Sequence, residues 1–148
     1  MSVPSLVVVE PDETEAALLR TALSSRFPRV TAIQAVSGDA ALQHLTDQSP
    51  ARKMHPLLLL FDVQSFDDSV HDVLSAVRRV TRLVHMPIVV FVRENAGDEL
   101  DRAHALRVNS VIARPDSSEA FVDAAVRVAD YRLNLNQTPG SGVDGHAT

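Results

Sequence analysis

Cysteine is absent from the 148-residue chain, and this absence excludes disulfide bonds and thiolate metal sites. No apolar run approaches the roughly 20 residues that a membrane-spanning helix needs. The first residues also lack the basic start of a secretory signal, so we expect a cytoplasmic protein with no membrane segment. The net charge of −5 argues against nucleic acid as a partner, because phosphate contacts need a basic surface.

Glycine is scarce, and its positions exclude another class of protein. Only Gly38 and Gly97 of the five glycines precede the C-terminal segment, and neither lies in a glycine-rich turn after the first apolar run. A flavin- or nucleotide-binding enzyme of α/β type would need such a turn to hold phosphate. The other three glycines lie in TPGSGVDGHAT, so we predict one domain over residues 1–137 and a disordered tail over 138–148.

Short apolar runs alternate with helical patterns along the chain. The runs typical of buried parallel strands cover residues 6–9, 30–35, 57–61, 88–92 and 110–113. Apolar residues at helical spacing predict helices over residues 13–26, 38–48, 68–83, 97–107 and about 117–136. This alternation predicts a three-layer α/β domain with a flavodoxin-like parallel sheet of five strands, in the order 2-1-3-4-5.

Charged residues follow three of these strands at the edge where α/β sheets bind ligands, beyond the carboxyl ends of the strands. The first strand leads into Glu10, Pro11 and Asp12, the third ends at Asp62, and the fifth leads into Arg114. The first and third strands are neighbours in the predicted order, so we expect Glu10 and Asp62 to lie side by side. Asp12 also fits the N-cap position of the first helix.

Four segments carry a resemblance to a known family: LVVVEPDETEAALLRTAL, HPLLLLFDVQSFDDSVHDVLSAVRR, MPIVVFV and NSVIARPDSSEAFVDAAVRV. In this order and spacing the chain resembles the CheY-like receiver domain of two-component response regulators. The later segment YRLNLNQTP is similar to the extension of single-domain regulators that partner bacterial phytochromes. The resemblance implies a non-enzymatic signalling protein in a phosphorelay. Its implied partner is a sensor histidine kinase, with a phytochrome-type kinase as one candidate.

The resemblance also implies a role for Asp62 as the phosphoacceptor. A receiver aspartate attacks the phosphohistidine of a kinase, and Mg²⁺ offsets the repulsion between carboxylate and phosphoryl oxygens. Carried over to this chain, the metal ligands would be Glu10, position 11, Asp62 and the backbone carbonyl of Gln64. Position 11 is Pro11, which has no carboxylate, so we expect Mg²⁺ binding to be weakened or absent. Asp12 is either a substitute ligand or only the N-cap of the helix.

Three further positions depart from the pattern of the family. Val92 stands where a Ser or Thr would contact the phosphoryl group, and Val111 stands where a switching aromatic would lie. Arg114 replaces a lysine, and Lys53, the only lysine of the chain, precedes the third strand. We therefore expect an atypical receiver with impaired phosphorylation that acts through protein contacts. The alternative is a phosphorylatable single-domain regulator, and Asp62 could also simply pair with Arg114.

The last predicted helix carries two apolar stripes, and they bear on assembly and partners. One stripe, expected to pack on the sheet, contains Phe121, Ala124, Ala125 and Val128. The other would remain in water and predicts a homodimer through Val122, Val126, Ala129, Leu133 and the nearby Tyr131. The alternative is that a single wide stripe is buried within one chain. The resemblance further implies partner docking at Ala16, Leu19 and Pro115.

Overall fold

Five parallel strands form the central sheet of the protein, which is described here from a computed structural model. The structure describes residues 3–47, 54–63, 68–92, 101, 105 and 108–141. The strands are β1 (Val3–Val9), β2 (Thr31–Ala35), β3 (Met54–Asp62), β4 (Ile88–Val92) and β5 (Ser110–Ala113). Their order is β2-β1-β3-β4-β5, and every neighbouring pair is parallel. The predicted fold class and strand order are therefore confirmed.

Helices cover both faces of this sheet. They are α1 (Glu13–Arg26), α2 (Gly38–Thr46), α3 (Asp68–Arg79) and α4 (Ser118–Ser141), with a 3-10 turn over Thr81–Leu83. Successive strand residues point to opposite faces. Leu59 and Val90 accordingly join the apolar core that includes residues of α2 and α3, whereas Leu58 and Phe91 join the core that includes residues of α1 and α4. Burial on both faces explains why β1, β3 and β4 contain almost uninterrupted apolar runs.

The helix boundaries differ from the prediction at two places. The pattern over residues 68–83 divides into α3 and the 3-10 turn because Val80 adopts an extended backbone conformation between them. At the other end of the chain, α4 continues to Ser141, so residues 138–141 extend the helix and do not begin the predicted tail. Lengthening an existing helix avoids the cost of nucleation. Most of the predicted helix over residues 97–107 lies outside the described residues.

The apolar face of α4 that contacts the sheet agrees with the prediction at Phe121 and Ala125, and the predicted Ala124 and Val128 are partly buried against the same core. Residues four positions apart form the buried stripe: Phe121, Ala125, Ala129 and Leu133. The predicted dimer surface is therefore wrong at Ala129 and Leu133, which are 0% and 2% exposed within their own chain. The α4 helix packs against α1 as well as the sheet, and these two contacts widen the buried face of α4. An ion pair of 2.8 Å between Arg26 and Asp130 joins the two helices. Among the helices that the structure describes, none is long and apolar enough to cross a membrane.

Candidate functional site

Three carboxylates meet beyond the carboxyl ends of β1 and β3. Glu10 directly follows β1, Asp62 is the last residue of β3, and Glu15 lies in the first turn of α1. Their ligand oxygens all lie within 4.8 Å of one another. The pairing of β1 with β3 places Val9 opposite Phe61 and so brings Glu10 beside Asp62, as the sequence predicts.

The guanidinium of Arg114 lies against all three carboxylates. It donates hydrogen bonds to Asp62 through Nη1 and to Glu15 through Nη2. Its Nη1 is also 3.6 Å from Glu10 Oε1. The ring of Phe121 supports the guanidinium from another side, with Cζ 3.8 Å from the ring centroid. The structure thus shows the pairing of Asp62 with Arg114 that the sequence left open.

Arg114 reaches the cluster because its backbone continues the hydrogen bonding between β5 and β4. Its N–H donates to the carbonyl of Val92 at 2.7 Å, one position beyond the last paired residues of β4 and β5. The side chain therefore starts at the same sheet edge as Glu10 and Asp62. Among the described residues, one positive charge faces three carboxyl groups there, so this part of the cluster is short of positive charge when all three are ionised.

Glu15 is the site residue that sequence reasoning missed. Its side chain is 15% exposed and accepts a hydrogen bond from Ser118 Oγ at 2.7 Å, in addition to the one from Arg114. Glu15 lies three positions after the N-cap Asp12 and so fits a capping box, in which its carboxylate would bind the backbone N–H of Asp12. That N–H donates to Glu10 Oε2 instead, at 3.1 Å. The one feature of the sequence that could have indicated Glu15 was its place in the first turn of α1, at the sheet edge where Asp62 lies.

Asp12 acts as the N-cap of α1. Its side chain is exposed and accepts from the backbone N–H of Glu15 at 2.9 Å, while its own backbone is extended. This geometry confirms the N-cap interpretation, because the Asp12 carboxylate is bound to the first turn of α1. Pro11, also exposed, separates Asp12 from Glu10.

Burial raises the pKa of the Asp62 carboxyl to about 9, and the hydrogen bond and charge of Glu10 add to the effect, with a further contribution from the charge of Asp12. The guanidinium of Arg114 opposes this rise because it favours the charged form. The upward direction prevails, since one guanidinium is shared by three carboxyl groups and the Asp62 side chain is 2% exposed. Glu10 Oε1 and Asp62 Oδ1 have no hydrogen-bond partner among the described residues, and a proton shared between them would satisfy both.

The residues present do not fit a divalent cation while Arg114 remains in place. The donor set itself is suitable, because Mg²⁺ prefers carboxylate oxygens and two buried carboxylate oxygens here have no hydrogen-bond partner within the described part of the chain. The guanidinium, however, already contacts the Asp62 and Glu10 carboxylates that would bind the ion. Pro11 adds no carboxylate, and Gln64, the predicted carbonyl ligand, lies outside the described residues.

The other predicted site positions have clear locations. Val92 is 1% exposed and presents no hydrogen-bond donor from its side chain, and Val111 is half-buried. Ala16 and Leu19 are each 1% exposed, so the docking surface predicted from them is wrong. They lie on the face of α1 that packs on the sheet.

Ala17 and Leu18, which lie between Ala16 and Leu19 in the sequence, are on the outward face of α1. Ala17 is exposed, and Leu18 is 45% exposed, although the apolar pattern alone did not separate this face from the buried one. Pro115, the third predicted docking residue, is half-buried. The part of α1 open to a partner therefore includes Ala17 and Leu18.

Comparisons with known proteins agree with this fold. No family model matches the chain. A curated relative, the "Probable methanogenesis regulatory protein FilR2" of Methanothrix harundinacea (strain 6Ac), is 32% identical over 103 residues. The match covers 70% of this chain, and the chain spans only 66% of the length of that relative.

Solved structures of response regulators superpose on most of the chain. The phosphorylated cyanobacterial phytochrome response regulator RcpA is 18% identical with a TM-score of 0.77, and the match covers 90% of this chain and 96% of RcpA. The Mn²⁺-bound regulator Rcp1 is 19% identical with a TM-score of 0.74, covering 88% and 94% of the two chains. A response regulator from Hahella chejuensis is 22% identical with a TM-score of 0.74, covering 90% and 98%.

The strand order and these superpositions define the fold of this protein. It is the CheY-like fold of response regulator receiver domains. The solved structures that it resembles include the phytochrome response regulator RcpA.

Proposed function

We propose that the protein is an atypical response regulator of two-component signalling, cytoplasmic, in which phosphorylation of Asp62 is impaired. It would act through contacts with other proteins, with a sensor histidine kinase as its upstream partner and a phytochrome-type kinase as one candidate. The receiver fold and a relative named as a regulatory protein support the signalling role. The exposed Ala17 and Leu18 of α1 offer a surface for such contacts.

The position of Arg114 is the observation that carries this proposal. Attack by a carboxylate on a phosphoryl group requires a free, ionised oxygen and a cation that neutralises the incoming charge. Here one Asp62 oxygen is bound to Arg114, and burial favours the protonated form of the other. The acceptor is thus both occupied and poorly nucleophilic at neutral pH.

Two neighbouring positions support the same conclusion. Pro11 removes the carboxylate that the family pattern would place beside Glu10, and Val92 removes the hydroxyl that would contact the phosphoryl group. A switch needs a contact that differs between two states. Val92 and Val111 offer no such polar contact from their side chains.

The alternative function is that of a phosphorylatable single-domain regulator. One observation favours it: Asp62 Oδ1 has no hydrogen-bond partner among the described residues and lies beside Glu10, at the position of the family's acceptor. In that case Arg114 would have to leave the carboxylate before the reaction. The two functions differ in a single measurable product, an acyl phosphate on Asp62.

We expect no phosphoryl adduct when the wild-type protein is incubated with acetyl phosphate and Mg²⁺ and analysed by intact mass. The Asp62→Asn variant, treated identically, is the control for labelling at other residues. The proposal holds if the two spectra agree. An adduct that forms on the wild-type protein and disappears in the variant would establish the alternative function.

The proposal includes a homodimer through the outer face of α4, on a smaller surface than the sequence predicts. Tyr131 is 59% exposed, whereas Val122 and Val126 are half-buried on the same helix and pack against the core of their own chain. The ring of Tyr131 therefore offers an aromatic anchor for the dimer, a residue type common at interfaces.

Sedimentation velocity over a range of concentrations tests this dimer. We expect the wild-type protein to sediment as a dimer and Tyr131→Glu to shift towards the monomer, because the substitution places a charge at the centre of the surface. Arg79→Glu, an exposed change on α3, is the control and should sediment like the wild-type protein. A wild-type protein that remains monomeric, or a Tyr131→Glu variant that remains dimeric, would refute the interface.

A further inference from the structure

We propose that Arg114 is a built-in countercation that closes a latent divalent-cation site, and that Glu15 is the positioning residue that holds it there. The inference rests on the proposed function, because it explains how the acidic site of a receiver persists without its usual ion. It assigns roles in this site to Glu15 and to the contact between α1 and the loop after β5.

Arg114 is held at both ends of its guanidinium. Nη1 contacts Asp62 and lies 3.6 Å from Glu10, whereas Nη2 points the other way and contacts Glu15. The face of the group packs on Phe121, which is 1% exposed. A planar guanidinium can bridge two carboxylates in this way, whereas an ammonium group is a single point charge.

Glu15 is itself fixed in position by its neighbours. Ser118, the first residue of α4, donates to one of its carboxylate oxygens at 2.7 Å, and the other oxygen accepts from Arg114. Its backbone N–H is bound by the N-cap Asp12. Glu15 therefore connects the start of α1, the start of α4 and the loop after β5, and it restrains Arg114 from turning away from Asp62.

The carboxyl groups beneath the guanidinium retain the chemistry of a cation site. Glu10 is 0% exposed, and its Oε1 has no hydrogen-bond partner among the described residues. Asp62 Oδ1 also has no hydrogen-bond partner among the described residues. One ligand oxygen each of Glu10, Glu15 and Asp62 lies within 4.8 Å of the others. Removal of Arg114 would leave the Glu10 and Asp62 carboxylates with no cation in contact among the described residues, which is the environment that a small divalent ion prefers.

Titration with Mn²⁺ alone, followed by isothermal calorimetry at neutral pH, tests this inference. We expect Arg114→Ala to bind Mn²⁺ at least about tenfold more tightly than the wild-type protein, because a positive charge within contact distance of the ligands has been removed. Arg114→Lys should also bind more tightly than wild type, since lysine cannot bridge Asp62 and Glu15 together. The double variant Arg114→Ala, Asp62→Asn should lose the gained binding.

Glu15→Gln provides a test that keeps Arg114 in the chain. With the far end of the guanidinium less strongly held, Mn²⁺ affinity should lie between those of the wild-type and Arg114→Lys proteins. Circular dichroism of each variant establishes that it is folded before titration. If Arg114→Ala does not fold, Arg114→Lys and Glu15→Gln still decide the question.

Equal Mn²⁺ affinity in wild type, Arg114→Lys and Glu15→Gln would overturn the inference. Tight Mn²⁺ binding by the wild-type protein would overturn it as well. Neither result depends on a phosphodonor, so the outcome is separate from that of the proposed function. A wild-type protein that is phosphorylated on Asp62 and yet shows the predicted order of Mn²⁺ affinities would refute impaired phosphorylation and leave the role of Arg114 and Glu15 standing.

Discussion

Replacement of Arg114 by alanine is expected to lower the free energy of unfolding by about 3–5 kcal/mol at neutral pH, because removal of one partner from a buried ion pair leaves its counter-charges uncompensated. Glu10 is fully buried and the Asp62 side chain is 2% exposed, so water cannot readily replace the guanidinium. The lost contact with Phe121 adds to the effect. Urea unfolding followed by circular dichroism measures this difference.

Arg127→Ala is the matched control for that measurement. Arg127 is 79% exposed and pairs with Asp123 one turn away on α4, so its removal should change the free energy of unfolding by no more than about 0.5 kcal/mol. A loss below about 1 kcal/mol for Arg114→Ala would contradict a central role for this arginine in holding the cluster together.

Asp62→Asn is expected to change how stability depends on pH. The folded-state pKa of Asp62, about 9, lies above its ordinary value of 3.8, so the folded protein binds a proton more tightly than the unfolded chain does. The stability from this proton is fully present below about pH 4 and is lost as the pH rises towards 9, by up to about 1.4 kcal/mol per pH unit. Asparagine does not ionise, so the variant should lack this decline.

Unfolding free energies of both proteins, measured by urea denaturation between about pH 5 and 9, test this expectation. The stability of Asp62→Asn relative to wild type should increase steadily with pH. Asp123→Asn, at an exposed carboxylate of α4, is the control and should run parallel to the wild-type profile. Parallel profiles for Asp62→Asn and wild type would mean that Asp62 is ionised across this range and fully compensated by Arg114.

The sequence predicts the central strands of the sheet well because these strands are buried on both faces. Uninterrupted apolar runs mark β1, β3 and β4 almost directly, and the strand order then brings Glu10 next to Asp62. The possible contact between Asp62 and Arg114 also followed from the positions at the ends of strands. These features depend on which strand a residue follows, and chain order largely determines that.

Features that depend on the rotation of a helix were harder to predict. Ala16 and Leu19 face the core while Ala17 and Leu18 face outward, and a helix with small residues on several sides gives little periodic signal to separate them. The same difficulty affected α4, where Leu133 belongs to the buried stripe.

The role of Glu15 could not be predicted for a related reason. Its first-turn position fits a local capping box, whereas its actual partners, Arg114 and Ser118, lie about a hundred residues further along the chain. The direction of its side chain is set by how α1 packs against the loop after β5. A single sequence does not contain that packing angle.

Crystals of the wild-type protein soaked in Mn²⁺ and measured at the manganese absorption edge give the most direct test of whether Arg114 is the resident cation of this site. The anomalous map should show no peak among Glu10, Glu15 and Asp62, and the guanidinium should remain between Asp62 and Glu15. A peak bound by Glu10 and Asp62, with Arg114 displaced towards solvent, would show that the protein retains a working metal site and would contradict the central claim.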